Sequence, residues 1–519
     1  MPTLDWIGKD KVINHHMDVP YRVLDKQYTY GGDKSENMII HGDNLEALKS
    51  LLPKYEGKIK CIYIDPPYNT GNEGWVYNDN VNDPKIKKWL GEVVGKEGED
   101  LSRHDKWLCM MYPRLKLLQK LLSEDGAIFI SIDDIEEANL KLICSEIFGA
   151  NNHIATFVWQ KRYSPDARVA VSDAHEFILC YAKNPGLFKD TRHLLPLTDS
   201  QTKQFSNPDN DPRGPWKAND FTAPGYRPNQ MYEITLPSGR VVTPPAGRCW
   251  RVTKEGFDQF VAENKMIYGN NGDGAPAVKR FLSEMPGMVP WTWWNHEAVG
   301  HSQEGNKQLA AILGKATFDY PKPSRLIERI IHIASDADSI VLDSFAGSGT
   351  TAHAVLNKNK EDGGHRRFIL IEMGDYADTI TAERVKRVID GYGEGKSAVE
   401  GTGGDFTYYE LGQPLFIGDH QLNSEVPDEK ICEYIWYAET HTSYEPKDVP
   451  YYLGVANGTA YYFYYEKEAL CILNYEFLSH VQEKADHYVI YADQCTLSDD
   501  ELLKYGITFK KIPRDIARL

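Results

Sequence analysis

A run of apolar residues that stops at two prolines constrains this chain more than any other feature. Cys61-Ile62-Tyr63-Ile64 is followed at once by Asp65-Pro66-Pro67-Tyr68. An apolar run bounded by turn residues reads as a buried strand. The prolines forbid its continuation, because they donate no N–H and Pro67 holds Pro66 extended. The Asp65 carboxylate and the Pro66 carbonyl are therefore acceptors converging at a strand end, with the ring of Tyr68 as a flat wall. A planar exocyclic amine with two N–H donors fits such a site, and adenine N6 is one. On these residues alone, an ordinary Pro-Pro turn is the alternative.

A second signature repeats the pattern. Ser339-Ile340-Val341-Leu342-Asp343-Ser344-Phe345-Ala346-Gly347-Ser348-Gly349-Thr350-Thr351-Ala352 runs from an apolar strand through a glycine turn into a helix. Gly347 and Gly349 allow backbone N–H groups to approach a ligand closely, and Asp343 can attract an ammonium group. A glycine turn by itself also serves plain packing in many α/β proteins. Here Arg367-Phe368-Ile369-Leu370-Ile371-Glu372 follows as another strand ending in an acid, where nucleotide-binding folds hold ribose hydroxyls. Strand, glycine turn, helix, strand and acid make one mononucleotide-binding unit.

These motifs, in this order, resemble the beta class of S-adenosylmethionine-dependent DNA amino-methyltransferases, in which the catalytic motif precedes the cofactor motif. Asp343 lies 278 residues beyond Asp65. His41-Gly42-Asp43-Asn44-Leu45 and Tyr320-Pro321-Lys322-Pro323-Ser324-Arg325-Leu326 match the same class, as do Pro113-Arg114-Leu115, Asp125-Gly126 and Ser131-Ile132-Asp133-Asp134 within residues 107–136. The likeness extends over nearly the whole chain and is strongest to the modification subunits of type III restriction-modification systems.

The resemblance implies a doubly wound, Rossmann-like α/β sheet with permuted motif order, an inserted target-recognition domain and an α+β C-terminal domain. It implies methyl transfer from S-adenosylmethionine to adenine N6 in duplex DNA, with the base flipped out of the helix. Asp65, Pro66, Pro67 and Tyr68 would be catalytic. Asp343, Phe345, Gly347 and Gly349 would hold the methionine end of the cofactor, and Glu372 its ribose. Asp43 and Lys322 would make secondary cofactor contacts, against the plainer readings of Asp43 as a turn residue and Lys322 as a cation at a helix start. The sulfonium carries its own leaving group, so no metal is required. Implied partners are duplex DNA, a second copy of the chain, and a restriction subunit with helicase and nuclease functions. Cytosine-N4 methylation uses the same fold, but usually with Ser in place of Asp65. RNA is a poorer match to the long middle insert. A chain serving chiefly in DNA recognition and assembly is a further reading. The chain has no P-loop and no nuclease carboxylate cluster, so ATP-driven cleavage is expected of another chain.

At 519 residues the chain can bury large cores. No stretch approaches about twenty consecutive apolar residues, and Met1-Pro2-Thr3-Leu4-Asp5-Trp6 lacks a basic, apolar leader, so a cytoplasmic enzyme is expected. Eight scattered cysteines, four of them (Cys61, Cys109, Cys144 and Cys180) in apolar surroundings, predict neither disulfides nor a zinc site. A net charge of −17 opposes approach to a polyanion. The acid is concentrated at the end, however. Residues 401–519 hold 20 acidic and 9 basic side chains, whereas residues 191–320 hold 13 acidic and 14 basic.

Residues 1–190 therefore read as the catalytic half of an α/β domain, with a polar loop from Gln160 to Asp173 over the site. Residues 191–315 read as the target-recognition insert. There aromatic and basic residues interleave in Arg213-Gly214-Pro215-Trp216-Lys217, Tyr226-Arg227, Gly247-Arg248-Cys249-Trp250-Arg251 and Lys279-Arg280. Trp291-Thr292-Trp293-Trp294 reads as core packing. Residues 316–395 read as the cofactor half, Gly391–Gly404 as a linker, and 405–519 as an interaction domain with a hairpin at Asn457-Gly458.

Overall fold

The computed structural model describes residues 3–70, 103–269, 271–314, 318–418 and 421–518. Met1, Pro2 and Lys315, which enter the expectations above, lie outside the described residues. The chain divides into two compact units, Met1–His193 with Trp291–Leu519, and Leu194–Pro290.

The first unit is built on one ten-stranded sheet. In chain order its strands are β1 (Arg22–Tyr30), β2 (Met38–His41), β3 (Ile59–Ile64), β4 (Leu122–Ile132), β5 (His153–Gln160), β6 (His175–Ala182), β7 (Trp293–Trp294), β8 (Ile340–Asp343), β9 (Arg367–Glu372) and β10 (Phe406–Pro414). Their spatial order is β1-β10-β2-β9-β8-β3-β4-β6-β5-β7. From β10 through β4 every pair is parallel. Parallel strands are covered on both faces, which is why their sequences are continuously apolar rather than alternating. All six residues of β3 and all four of β8 are buried. Three helices, α1 (Asn44–Tyr55), α2 (Arg103–Leu121) and α3 (Glu137–Phe148), share one core with Ile62 and Ile64. Helix α4 (Ser302–Leu313) is followed by α5 (Ser324–Ala334), which packs on β3 and on α6 (Thr350–Asp362). Helix α7 (Glu383–Asp390) packs against α4 and α6. This is the doubly wound α/β sheet expected.

The periphery differs from the sequence reading in several places. Gly391–Gly404 is not an open linker. Gly391–Tyr392 pairs with Val399–Glu400 in a small antiparallel hairpin. Residues 405–519 do not begin a separate domain, because β10 inserts between β1 and β2 with Phe406 and Tyr408 buried. Further on, a four-stranded sheet forms from Tyr452–Ala456, Thr459–Phe463, His487–Ala492 and Ile507–Lys511, and its hairpin turns at Asn457-Gly458. Residues 291–315 fall in the first unit rather than the insert. Trp294 fixes them there, fully buried and stacked 4.3 Å from Phe157, while Trp291 and Trp293 are exposed.

The second unit, Leu194–Pro290, carries short antiparallel strands around a small core of Phe221, Ile234, Leu236, Trp250, Phe257 and Met266. Part of its basic and aromatic pattern is structural. Trp250 is in that core, and Lys279 is buried between Asp209 and Asp211, the second at 2.9 Å. Tyr226, Arg227 and Arg280 are exposed.

Candidate active site

Adjacency of β3 and β8 solves the problem posed by the distance between the two motifs. Leu342 pairs with Ile62 in parallel register. Asp343 and Asp65, just beyond those positions, therefore leave the sheet at the same edge, the end at which open parallel sheets bind ligands. Between them lies a cavity of about 760 Å³, lined by Asp65, Pro66, Tyr68, Lys322, Asp343, Phe345 and Gly347 among others. Pro67, Asp43, Gly349 and Glu372 do not line it. They stand one step behind the wall.

Asp65 is the centre of a dense polar cluster. Lys322 Nζ donates to its Oδ1 at 2.8 Å and Oδ2 at 2.7 Å, and Tyr68 O–H donates to Oδ1 at 2.8 Å. Lys322 also lies 2.9 Å from the Tyr68 hydroxyl and 3.6 Å from Glu176 Oε2, and Tyr68 O–H reaches the same Glu176 oxygen at 3.1 Å. Burial raises the Asp65 carboxyl above the usual range, while the Lys322 charge and the Tyr68 hydrogen bond pull it back. Burial, with the charges of Asp65 and Glu176, pushes the Tyr68 phenol far up, so it stays a neutral donor. Behind the wall, the Pro67 carbonyl accepts from Trp107 Nε1 at 2.6 Å. Sequence reasoning assigned Lys322 to the cofactor. Here it sits on Asp65, at the end of the Tyr320-Pro321 segment that leads into α5.

The glycine loop is held from below by its own acids. Asp343 accepts from Phe345 N at 3.0 Å and from Thr351 Oγ1 at 2.5 Å. Burial pushes its carboxyl up to about 7, the neighbouring Asp65 and Glu372 charges adding to the rise and the two donors opposing it. Glu372 accepts from Gly347 N at 2.7 Å, Gly374 N at 2.8 Å and Tyr376 O–H at 2.9 Å, so in this structure it ties the loop to β9. Gly347 and Gly349 both have positive φ, 52° and 79°. A Cβ on Gly349 would stand 3.0 Å from Thr381 O, so close packing as well as backbone conformation requires glycine there. Asp43 caps α1 through Leu45 N, as a turn residue would, and lies 3.3 Å from Arg114 Nη2. Arg114 Nε donates to Asn44 Oδ1 at 2.5 Å, and Asn44 Nδ2 donates to Ser344 O at 2.8 Å. The His41-Gly42-Asp43-Asn44 motif thus buttresses the strand end that carries Asp343.

Other lining residues escaped the sequence reading. Glu176 opens β6, and Asp133 follows β4 with its carboxyl pushed by burial up to about 7. Glu176 has no signal beyond an acid at the end of an apolar run, whereas Asp133 lies in the Ser131-Ile132-Asp133-Asp134 match, which carried no site assignment. The loop after β5 does border the cavity, through Lys161, Arg162, Tyr163 and Arg168. Lys161 pairs with Asp173 at 2.5 Å and Glu176 at 3.4 Å, and the Tyr163 ring lies tilted against His301 with centroids 5.2 Å apart. The arrangement is a pocket rich in carboxyls, with acceptors at one end and a glycine loop at the other.

The family model described as DNA methylase matches residues 59–383. The chain is 36% identical over 426 residues to the type III restriction-modification enzyme StyLTI Mod subunit of Salmonella typhimurium, covering 74% of this chain and 62% of that protein. It is 33% identical over 419 residues to the EcoPI Mod subunit of Escherichia phage P1, covering 71% and 63%. It is 31% identical over 369 residues to the type II methyltransferase M.KpnI of Klebsiella pneumoniae, covering 66% and 81%. The chain spans less than two thirds of the length of these two Mod subunits.

Proposed function

The chain belongs to the DNA methylase family of N6 and N4 methyltransferases, and we propose on that premise that it transfers the methyl group of S-adenosylmethionine to N6 of adenine in duplex DNA. The observation that carries this reading is the meeting of Asp65 and Asp343 in one cavity. One acid heads an acceptor site for an amine, and the other anchors a glycine loop suited to a cationic ligand.

The residues present fit such a cofactor. Asp343 is buried at the loop with a raised carboxyl, and a positive ligand would stabilise its ionised form. Asp343, Phe345 and Gly347 are proposed to hold the methionine end with Gly349 shaping the turn behind them, Glu372 to take the ribose on turning from its present donors, and Asp43 to act from behind through Arg114 and Asn44. When bound, S-adenosylmethionine supplies an electrophilic methyl group on sulfur. The protein's part is to make the adenine amine a better nucleophile. Asp65 and the Pro66 carbonyl accept its two N–H bonds, favouring a tetrahedral nitrogen, and such hydrogen bonds count for more in a water-poor pocket than in water. Both Asp65 oxygens accept from Lys322, so the amine shares the carboxylate with that ammonium or shifts it toward Glu176, 3.6 Å away. Tyr68 then faces the flipped base. A carboxylate rather than a hydroxyl at position 65 favours adenine over cytosine.

We assign target recognition to the compact unit Leu194–Pro290, and dimerisation or docking of a restriction subunit to the residues that follow β10. The Mod relatives are named as subunits of type III restriction-modification enzymes, which supports the same assembly here, acting in the cytoplasm where DNA is exposed to it.

The test is methyl transfer to duplex DNA by the wild-type chain and by Asp65→Asn, with sequencing of modified bases. N6-methyladenine at one short motif is expected, with transfer lowered about 100-fold or more in the variant and S-adenosylhomocysteine binding kept. Methylated cytosine, or transfer indifferent to Asp65, would sink the reading.

A further inference from the structure

Arg384, on α7, is a buried charge without an acid partner among the described residues. Its side chain has no exposed surface. Nη1 donates to Ser348 Oγ at 2.9 Å and Thr350 Oγ1 at 2.7 Å. Nη2 lies 3.2 Å from His353 Nδ1 and 3.5 Å from Gln308 Oε1. Nε, equally buried, has no hydrogen-bond partner among the described residues. No carboxylate among the described residues pairs with this guanidinium, which is unusual, because a buried charge is costly unless paired. His353 does not share the charge. Burial, reinforced by Arg384 itself, holds that imidazole well below its ordinary range and therefore neutral.

The two residues whose hydroxyls Arg384 grips both line the cavity, Ser348 in the glycine loop and Thr350 at the start of α6. Each uses a lone pair to accept from the guanidinium, so its own proton is polarised toward other acceptors. Their present acceptors within the protein are distant: the two hydroxyl oxygens lie 3.3 Å apart, and Thr350 Oγ1 lies 3.4 Å from Lys322 O. The same end of the cavity also carries Asp343, whose carboxyl favours a cation. A ligand end that satisfies both walls carries an ammonium and a carboxylate together, which is the signature of an α-amino acid.

We propose that Arg384 is a positioning residue that selects a ligand bearing an α-amino-acid carboxylate, acting through the Ser348 and Thr350 hydroxyls. This rests on the cofactor reading above, since the methionine end of S-adenosylmethionine is such a group, and it adds a determinant outside the glycine and DPPY motifs. Loss of the charge weakens carboxylate recognition and leaves recognition of the nucleoside and the amine intact.

The experiment is calorimetric binding of two ligands to the full chain: S-adenosylhomocysteine, and S-adenosyl-3-thiopropylamine, which lacks only the carboxylate. The wild-type chain is expected to prefer the first by about tenfold or more, the worth of a hydrogen bond to a charged group. Arg384→Met abolishes the preference while affinity for the amine stays within about twofold, and Arg384→Lys restores part of it. Ser348→Ala, which leaves the guanidinium in place, shifts the same ratio in the same direction and serves where Arg384→Met fails to fold. An unchanged ratio in Ser348→Ala, or equal loss of both ligands in the variants, would make Arg384 a prop for the loop and overturn the proposal. Binding of neither ligand to the wild-type chain would instead overturn the cofactor reading, and this inference with it.

Discussion

At the scale of single residues, the pocket is governed by how burial sets the charge on its acids. Asp343 is the clearest case, because its carboxyl is pushed up to about 7 beside the proposed cofactor site. Its ionised form attracts the ligand, so affinity for S-adenosylmethionine is expected to fall as the pH drops below about 7, by up to about tenfold per pH unit. The effect on folding has the opposite sense. A carboxyl raised in the folded state costs stability above its folded value, and that cost fades as the pH falls toward 3.8, the ordinary value. Binding titrations from pH 5.5 to 8.5 check the first statement. Asp343→Asn should bind weakly with a flat profile, whereas a slope surviving in that variant would transfer the effect to Asp133, which titrates in the same range. Both Asp65 and Asp343 were readable from sequence, because an acid at the end of a buried strand has few other places to point. The partner of Asp65 was not readable. Lys322 reaches it across 257 residues, and Glu176 joins from a third strand, contacts that only the folded sheet creates.

Among the elements, the segment bearing Lys322 is held by a close packing contact rather than by hydrogen bonds alone. Helix α4 presents Gly305 to it, and a Cβ there would stand 2.1 Å from the Pro321 carbonyl oxygen. That oxygen is backbone, so the segment itself must move. Gly305→Ala would normally stabilise a helix by about 1 kcal/mol. Here overpacking is expected to win, lowering stability by about 1–3 kcal/mol, and to pull Lys322 out of its short contacts with Asp65. Thermal unfolding and the transfer rate should both fall. A variant that melts higher than the wild type would show that the segment yields freely. The elements most visible in the sequence, β3, β8 and β9, are those buried on both faces, where the apolar run is unbroken. Strand β10 was hidden because Phe406-Thr407-Tyr408-Tyr409 follows a glycine-rich stretch and its burial depends on β2, far away in sequence. The parallel pairing of β3 with β8 was equally hidden, since a parallel neighbour is chosen by crossover connections and not by local pattern.

For the molecule as a whole, the question is how a chain of net charge −17 would approach the duplex proposed as its substrate. The unit Leu194–Pro290 holds 11 basic and 10 acidic residues, so the remainder carries the whole excess of acid. Composition overstates even that unit, because six of its cations are neutralised internally: Arg213, Arg240, Arg248, Lys254, Lys265 and Lys279 all pair with acids. Among its described residues, Arg227 and Arg280 are exposed and have no acid partner, which leaves their charges available to phosphates. If this unit contacts the duplex, as proposed, each phosphate so neutralised steepens the dependence of affinity on salt by about 0.9 in log–log slope. Arg227→Gln with Arg280→Gln is therefore expected to weaken duplex binding and flatten the slope by up to about 2, with S-adenosylhomocysteine binding unchanged because the cofactor pocket lies wholly in the other unit. Replacing Lys279 instead should unfold or loosen the insert, since Asp209 and Asp211 would lose their partner, and the slope would then say nothing about phosphate contact. Affinity measured from 50 to 300 mM salt separates the cases. A double variant with the wild-type slope would move the DNA-facing surface away from these two arginines and onto the acidic unit, where long-range repulsion must be overcome by contacts made at the pocket itself.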